Sequence, residues 1–298
     1  MRTRRVAIIL LLILPGTPFL PSQETEPAWL VAERAERLMV EREFGLAIQS
    51  FRQALQLSPG DADILFGLGR AYKGIGDQTV ALDYFARALE QRAAFEVPET
   101  ALLVRYERAE VFRAQRDFAR YETELFRIVS EDPVPEDAPL PDDLHLVLAE
   151  RGLDRLLVLY RLPESGATRA RGMLAELLVG LGRYGAAAEQ AAIAVLQSLT
   201  TLVDVALDRD PTYEFATVAG LWERVGRYPE VERYLETSEL PHDLYYLGAA
   251  YWGEGDTTAL DLWRTLTLID AGGRWGERAA RQLEDPRVEP LIVPAREP

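Results

Sequence analysis

The chain repeats itself at an interval of 34 residues, and that period constrains its fold more than any other feature. Residues 45–59 (GLAIQSFRQALQLSP) place Ala47, Phe51 and Ala54 one period ahead of Ala81, Phe85 and Ala88 in residues 79–93 (TVALDYFARALEQRA). Ahead of the second copy, residues 65–77 (LFGLGRAYKGIGD) put Leu65, Leu68 and Tyr72 on one helical stripe by three- and four-residue spacing. Gly69 and Ala81 are small, so two antiparallel helices can approach closely. A helix pair of this size cannot bury its apolar face alone and must stack on copies of itself.

The order large, large, small, aromatic in the first helix, followed by Ala-x-x-x-Phe-x-x-Ala in the second, resembles the tetratricopeptide repeat (TPR), most closely over residues 62–95. Looser copies follow. In residues 102–135 the matching places hold Ala109, Phe112, Phe118 and Leu125. In residues 168–201 they hold Leu174, Ala175, Leu178, Tyr184, Ala187, Ala191 and Ala194, unusually small in the second helix. Residues 212–240 offer Phe215, Ala219, Trp222, Gly226, Tyr228 and Leu235. The motif returns closely in residues 244–256 (LYYLGAAYWGEGD) and 259–266 (ALDLWRTL), after a one-residue deletion in the turn. The resemblance implies an all-α fold, a TPR-like α-solenoid of about six to seven antiparallel helix pairs.

Three stretches break the regularity. Residues 130–143, with Pro133, Pro135, Pro139 and Pro141 among acids, read as an extended linker, because proline fixes φ and removes a donor. Residues 146–162 are helical and apolar without the repeat signature, and residues 186–208 read as one long helix. Residues 274–284 form a charged amphipathic helix suited to sealing the end of a solenoid. The organisation expected is therefore a signal peptide or N-terminal anchor (1–23), N-terminal repeats (24–135), a proline-rich linker with non-repeat helices (136–166), C-terminal repeats with a capping helix (167–285) and an extended tail (286–298).

The address is carried by the N-terminus. Arg2, Arg4 and Arg5 precede nine apolar residues (VAIILLLIL, 6–14) and a Pro15-Gly16 break, the layout of a secretory signal. Nine residues fall short of the roughly 20 needed to span a bilayer, so membrane contact is expected only if this segment stays uncleaved. The expected location is exported, periplasmic or envelope-associated. A formal charge of -15 argues against a nucleic-acid partner, which needs clustered positive charge. The chain has no cysteine, which removes disulfides and thiolate chemistry.

Chemistry is sparse. Gly180 to Gly185 (GLGRYG) matches the dinucleotide-binding spacing, but it follows a helical pattern and coincides with a repeat turn, where Gly76-Asp77 and Gly255-Asp256 stand in other units. His145 and His242 lie almost a hundred residues apart, each at a polar helix start, and read as surface residues. No catalytic, metal or cofactor site is expected, and the protein is read as non-enzymatic.

What the resemblance implies is a protein or peptide partner held in the groove lined by first helices. The matching positions include Trp29, Glu36, Met39, Asp63, Glu110, Glu176, Glu223 and His242. The principal candidates are Phe66, Arg70, Lys73, Tyr106, Arg113, Arg169, Tyr213, Arg224, Tyr245 and Trp252. Aromatic and arginine anchors dominate interfaces, so this set suits a partner carrying acidic groups. Phe66 and Arg70 stand where TPR carboxylate clamps use Lys and Asn, which speaks against a clamp of that kind. Two functions follow: a scaffold or adaptor of the bacterial cell envelope, or an accessory subunit that binds or delivers a ligand in an envelope transport or assembly system.

Overall fold

A computed structural model describes residues 26–138 and 140–292, leaving the expected signal segment and the end of the tail outside the described residues. Fourteen α-helices make up the described chain: α1 (Ala28–Val40), α2 (Phe44–Leu57), α3 (Ala62–Gly74), α4 (Gln78–Glu90), α5 (Thr100–Ala114), α6 (Phe118–Glu131), α7 (Leu144–Leu159), α8 (Thr168–Gly180), α9 (Tyr184–Arg209), α10 (Val218–Val225), α11 (Pro229–Thr237), α12 (Leu240–Glu254), α13 (Thr258–Ile269) and α14 (Arg274–Glu284). The fold is all-helical, with packed antiparallel pairs.

Five pairs share one turn. α1–α2, α3–α4, α5–α6, α8–α9 and α12–α13 each contain a single left-handed residue between their helices: Arg42, Gly76, Arg116, Gly182 and Gly255, with φ between 58° and 86°. The residue after it donates its N–H back to the preceding helix in every case. Glu43 reaches Leu38 (2.9 Å), Asp77 reaches Tyr72 (3.0 Å), Asp117 reaches Phe112 (2.9 Å), Arg183 reaches Leu178 (2.8 Å) and Asp256 reaches Tyr251 (2.9 Å). This is a Schellman closure, which satisfies carbonyls at the helix end and reverses the chain. Gly182 is the middle glycine of the GLGRYG segment, so that motif serves a turn. Asp61, Asp77 and Asp117 then cap the following helices, each accepting from the N–H three residues on.

Between helices, aromatic rings fill the space left by glycines. Phe85 of α4 lies over Gly69 of α3, and Trp263 of α13 lies over Gly248 of α12, where a Cβ would meet the indole at 2.5 Å. Successive units repeat the device. Phe44, first in α2, packs on Gly74 of α3, and Tyr184, first in α9, packs on Gly253 of α12. The second correspondence shows that α12 docks on α9 as the next repeat, although α10 and α11 intervene in sequence. It also accounts for the small residues of α9. Phe51 packs on Gly67 in the first interface, whereas the matching positions of the second are Ala191 and Tyr246, so large and small have changed sides.

One expectation needs correction here. Residues 212–240 do not form a repeat in the expected register. The helix begins at Val218, capped by Thr217, and buries Val218, Leu221 and Val225, leaving Phe215 ahead of it and Ala219 exposed. The proline-rich stretch holds no helix among its described residues between Glu131 and Leu144, as expected, and α6 packs directly on α8 across it. Helices α7 and α10 instead lie against α9. Surrounded by α7, α8, α10 and α12, the 26-residue α9 is long and apolar enough to cross a membrane, yet 72% of its most apolar window is buried inside the fold. The kink of α7 falls at Gly152, whose φ of 78° no helix adopts.

These devices give three stability predictions. Helix propensity alone favours alanine over glycine by about 1 kcal/mol, but Gly69→Ala would crowd the fully buried Phe85 and is expected to cost about 1–3 kcal/mol. Gly45→Ala, with open space at that position, should stabilise by about 0.5–1 kcal/mol. Arg116→Gly removes a left-handed arginine whose strain is roughly 1–2 kcal/mol; after the entropy of the added glycine, a gain of about 0.5–1 kcal/mol remains. Urea denaturation of the three variants beside the parent chain checks all three signs.

Candidate binding groove

The first helices α3, α5, α8 and α12 present one face to a groove of about 600 Å³. Phe66 and Arg70 come from α3, Leu103 and Tyr106 from α5, Thr168 and Arg169 from α8, and Asp243 from α12. The remaining wall is the end of α11 and its junction with α12 (Tyr234 to Glu239), together with Ser198 and residues 164–166. An apolar cleft of about 410 Å³, with Val97, Leu102 and Leu103, adjoins it across Tyr106.

Two hydroxyls fix this geometry. Tyr106 donates to the carbonyl of Gly166 (2.6 Å) and accepts from the N–H of Ala170 (3.0 Å), tying residues 164–166 to α5. Burial pushes its phenol up to about 12, so it stays a neutral donor. Tyr234 donates to Glu164 (2.7 Å), which also accepts from Ser198 (3.2 Å), pinning α11 over the groove.

Of the sequence candidates, Phe66, Arg70, Tyr106 and Arg169 line this groove. Arg113 and Arg169 line an adjoining cleft with His242, Met173 and Trp275. Lys73 stands beside the groove, paired with Glu107. The other four do not join it. Tyr213 and Arg224 lie near the C-terminal end of α9, where Arg224 pairs with Asp210 at 2.6 Å, a consequence of the register error in residues 212–240. Tyr245 is fully buried, its hydroxyl bonded to Gln282 and Glu289, because α14 and the tail cover that face of α12. Trp252 is half-buried against Trp263, with ring centroids 6.2 Å apart.

The cations expected to suit an acidic partner are compensated, since each groove cation has a carboxylate on a neighbouring first helix. Glu36 pairs with Arg70, Lys73 with Glu107 (2.6 Å), Arg169 with Glu110 (3.6 Å), Arg113 with Glu176 (3.4 Å), and Glu176 in turn with His242 (3.5 Å). Such half-exposed pairs are worth little individually. Their effect here is to neutralise the face and fix each helix against the next. The signal was available: Glu36/Arg70 and Lys73/Glu107 are each one 34-residue period apart. Glu164, Ser198, Tyr234 and Glu239 come from non-repeat segments, for which a repeat pattern carries no information.

His242 is buried, not a surface residue. Its Nδ1 lies 2.8 Å from Asp243 and its ring packs on Tyr246 and Trp275. Burial opposes the imidazolium, but the hydrogen bonds it donates to Asp243 and Glu176 outweigh it and raise His242 to about 9. For Glu176 burial acts upward, and the bond to His242 overrides it, holding the carboxyl below its usual range. Burial pushes Asp243 up. Among the described residues no group of three His, Cys, Asp or Glu side chains is placed to hold a metal ion.

A family model for the tetratricopeptide repeat matches residues 62–95. An uncharacterized protein of Treponema pallidum (strain Nichols) is 24% identical over 229 residues, 75% of this chain and 61% of that protein. The chain therefore spans about three fifths of that relative's length. Among solved structures, YrrB, a TPR protein with an unusual peptide-binding site, is 17% identical with a TM-score of 0.49, covering 87% of this chain and 95% of that one. TPR-like repeats from Podosopora anserina are 16% identical with a TM-score of 0.44, covering 83% and 98%.

Because His242 is charged in the folded chain up to about 9, against the ordinary imidazole value of 6.5, its contribution to stability is complete below 6.5 and is lost as pH rises through 9. The melting temperature should fall across that window, and His242→Gln should flatten the fall; calorimetry at half-unit intervals measures both. The chain thus carries a tetratricopeptide repeat at residues 62–95, set among packed antiparallel helix pairs.

Proposed function

We propose that this protein is a non-enzymatic scaffold or adaptor that holds a peptide or protein segment in the groove of its first helices, and that it works in the bacterial cell envelope after export. The observation that carries the binding half is the groove itself. Four successive first helices open onto one concavity, with aromatic and charged side chains together at its surface. The resemblance to TPR arrays supports the same face. Support for export comes from the basic and apolar layout of residues 1–23.

One observation favours a second reading. A volume of about 600 Å³ is also that of a small-molecule site, as an accessory ligand-binding or delivery subunit would need. Native mass spectrometry of the protein isolated from its own envelope separates the two: a retained small molecule favours delivery, and a stoichiometric polypeptide favours the scaffold.

Photo-crosslinking tests the groove. A benzophenone amino acid at Leu103, exposed in the groove, should trap a defined partner in cells, and the same probe at Phe126, exposed on the second helix α6, should not. Adducts from Phe126 alone would place the binding face elsewhere. Fusing residues 1–25 to a reporter active only outside the cytoplasm tests export, and an inactive fusion would remove the envelope from the proposal.

A further inference from the structure

We infer that the groove reads one basic side chain, an arginine or lysine of an extended peptide, seated between Tyr106 and Tyr234 with its cation held by Glu164 and Asp243. The inference rests on the peptide-binding reading above and specifies its partner.

Four carboxylates line this concavity, and apart from Glu107, which Lys73 pairs, they are Glu164 from the segment before α8, Glu239 at the start of α12, and Asp243 one turn further on. Their compensation is incomplete. Glu239 has Arg169 at 3.8 Å, but Arg169 is shared with Glu110. Asp243 has His242 on Oδ1, whereas its Oδ2 is buried and has no hydrogen-bond partner among the described residues. Glu164 accepts only neutral hydroxyls, from Tyr234 and Ser198, and no Arg, Lys or His of the described residues lies within ion-pairing distance. A buried carboxylate oxygen without a partner keeps the full cost of its lost hydration, and the Asp243 side chain is 1% exposed. The like charges of Glu239 and Glu164 add to that cost. A guanidinium or ammonium entering the groove would relieve both.

Competing occupants fit less well. Arg70 and Arg169 are drawn to the rim by Glu36 and Glu110, so an acidic segment finds no free cation at the floor. A metal ion needs convergent ligands, which the groove does not assemble among the described residues. The aromatic walls favour an organic cation, because a guanidinium over a ring gains from the ring quadrupole. Arg169 over Tyr106 (5.5 Å) and Arg70 over Phe66 (5.3 Å) already make that contact at the rim.

Selection of a displayed random dodecapeptide library on the full chain tests the inference. Selected peptides should share one Arg or Lys. Exchanging it for Gln should weaken binding by about ten- to a hundredfold, the size of one hydrogen bond to a charged group. Glu164→Gln should do the same and abolish the preference for a basic residue, and added salt should weaken the parent complex. Asp243→Asn serves as a second variant, with circular dichroism confirming that each is folded. Peptides that compete for the groove but lack a basic residue, or that bind both variants as tightly as the parent, would overturn the inference while leaving peptide binding intact. Recovery of no peptide would overturn the peptide groove and this inference with it.

Discussion

Four interfaces of the array depend on an aromatic ring entering the gap left by a glycine on a facing helix. The contact is made twice within repeats, by Phe85 over Gly69 and Trp263 over Gly248, and twice between them, by Phe44 over Gly74 and Tyr184 over Gly253. A ring against a backbone allows the helices to approach closely and fixes their register, since the ring fits only where the Cβ is missing. The left-handed turn supplies the other half of the constraint. Five times it reverses the chain with the same backbone bond, so each second helix starts in the same relation to its first. With approach and reversal both set, the first helices are left side by side on one face.

The departures from regularity are what turn that face into a groove. The extended α9, enclosed by α7 and α10, carries the chain away from the array for about thirty residues before α12 resumes it. On the way back α11 is pinned by Tyr234 to Glu164 and Ser198. That bond places a wall across the first helices which regular repeats would lack. Glu239 enters the groove with this wall and Glu164 with the segment before α8, and so the charge around Asp243 differs from the paired ladder along the first helices.

The repeats were legible because their signal is local. Leu65, Leu68, Gly69, Tyr72, Ala81 and Phe85 sit in one helix pair, and residue size alone reports their burial. α9 and α14 could be read for the same reason, as long apolar and amphipathic runs. Phe66, Arg70, Tyr106 and Arg169 reach the groove because repeat position fixes the face on which a side chain lies. Tyr245 failed that rule because α14 and the tail, remote in sequence, cover its face. Residues 212–240 failed it because Phe215, Ala219 and Trp222 imitate the repeat spacing while Val218, Leu221 and Val225 offer a competing stripe one helix face away. Asp243 and Glu164 could not be assigned to one site from sequence, since only the path of α9 to α11 brings them together.

The account stands on the first helices being the binding face, and hydrogen exchange of the full chain with and without its captured partner tests that most directly. Slowed exchange should be confined to α3, α5, α8 and residues 234–243. Protection of the second helices α2, α4 and α6, with the first helices unchanged, would contradict it.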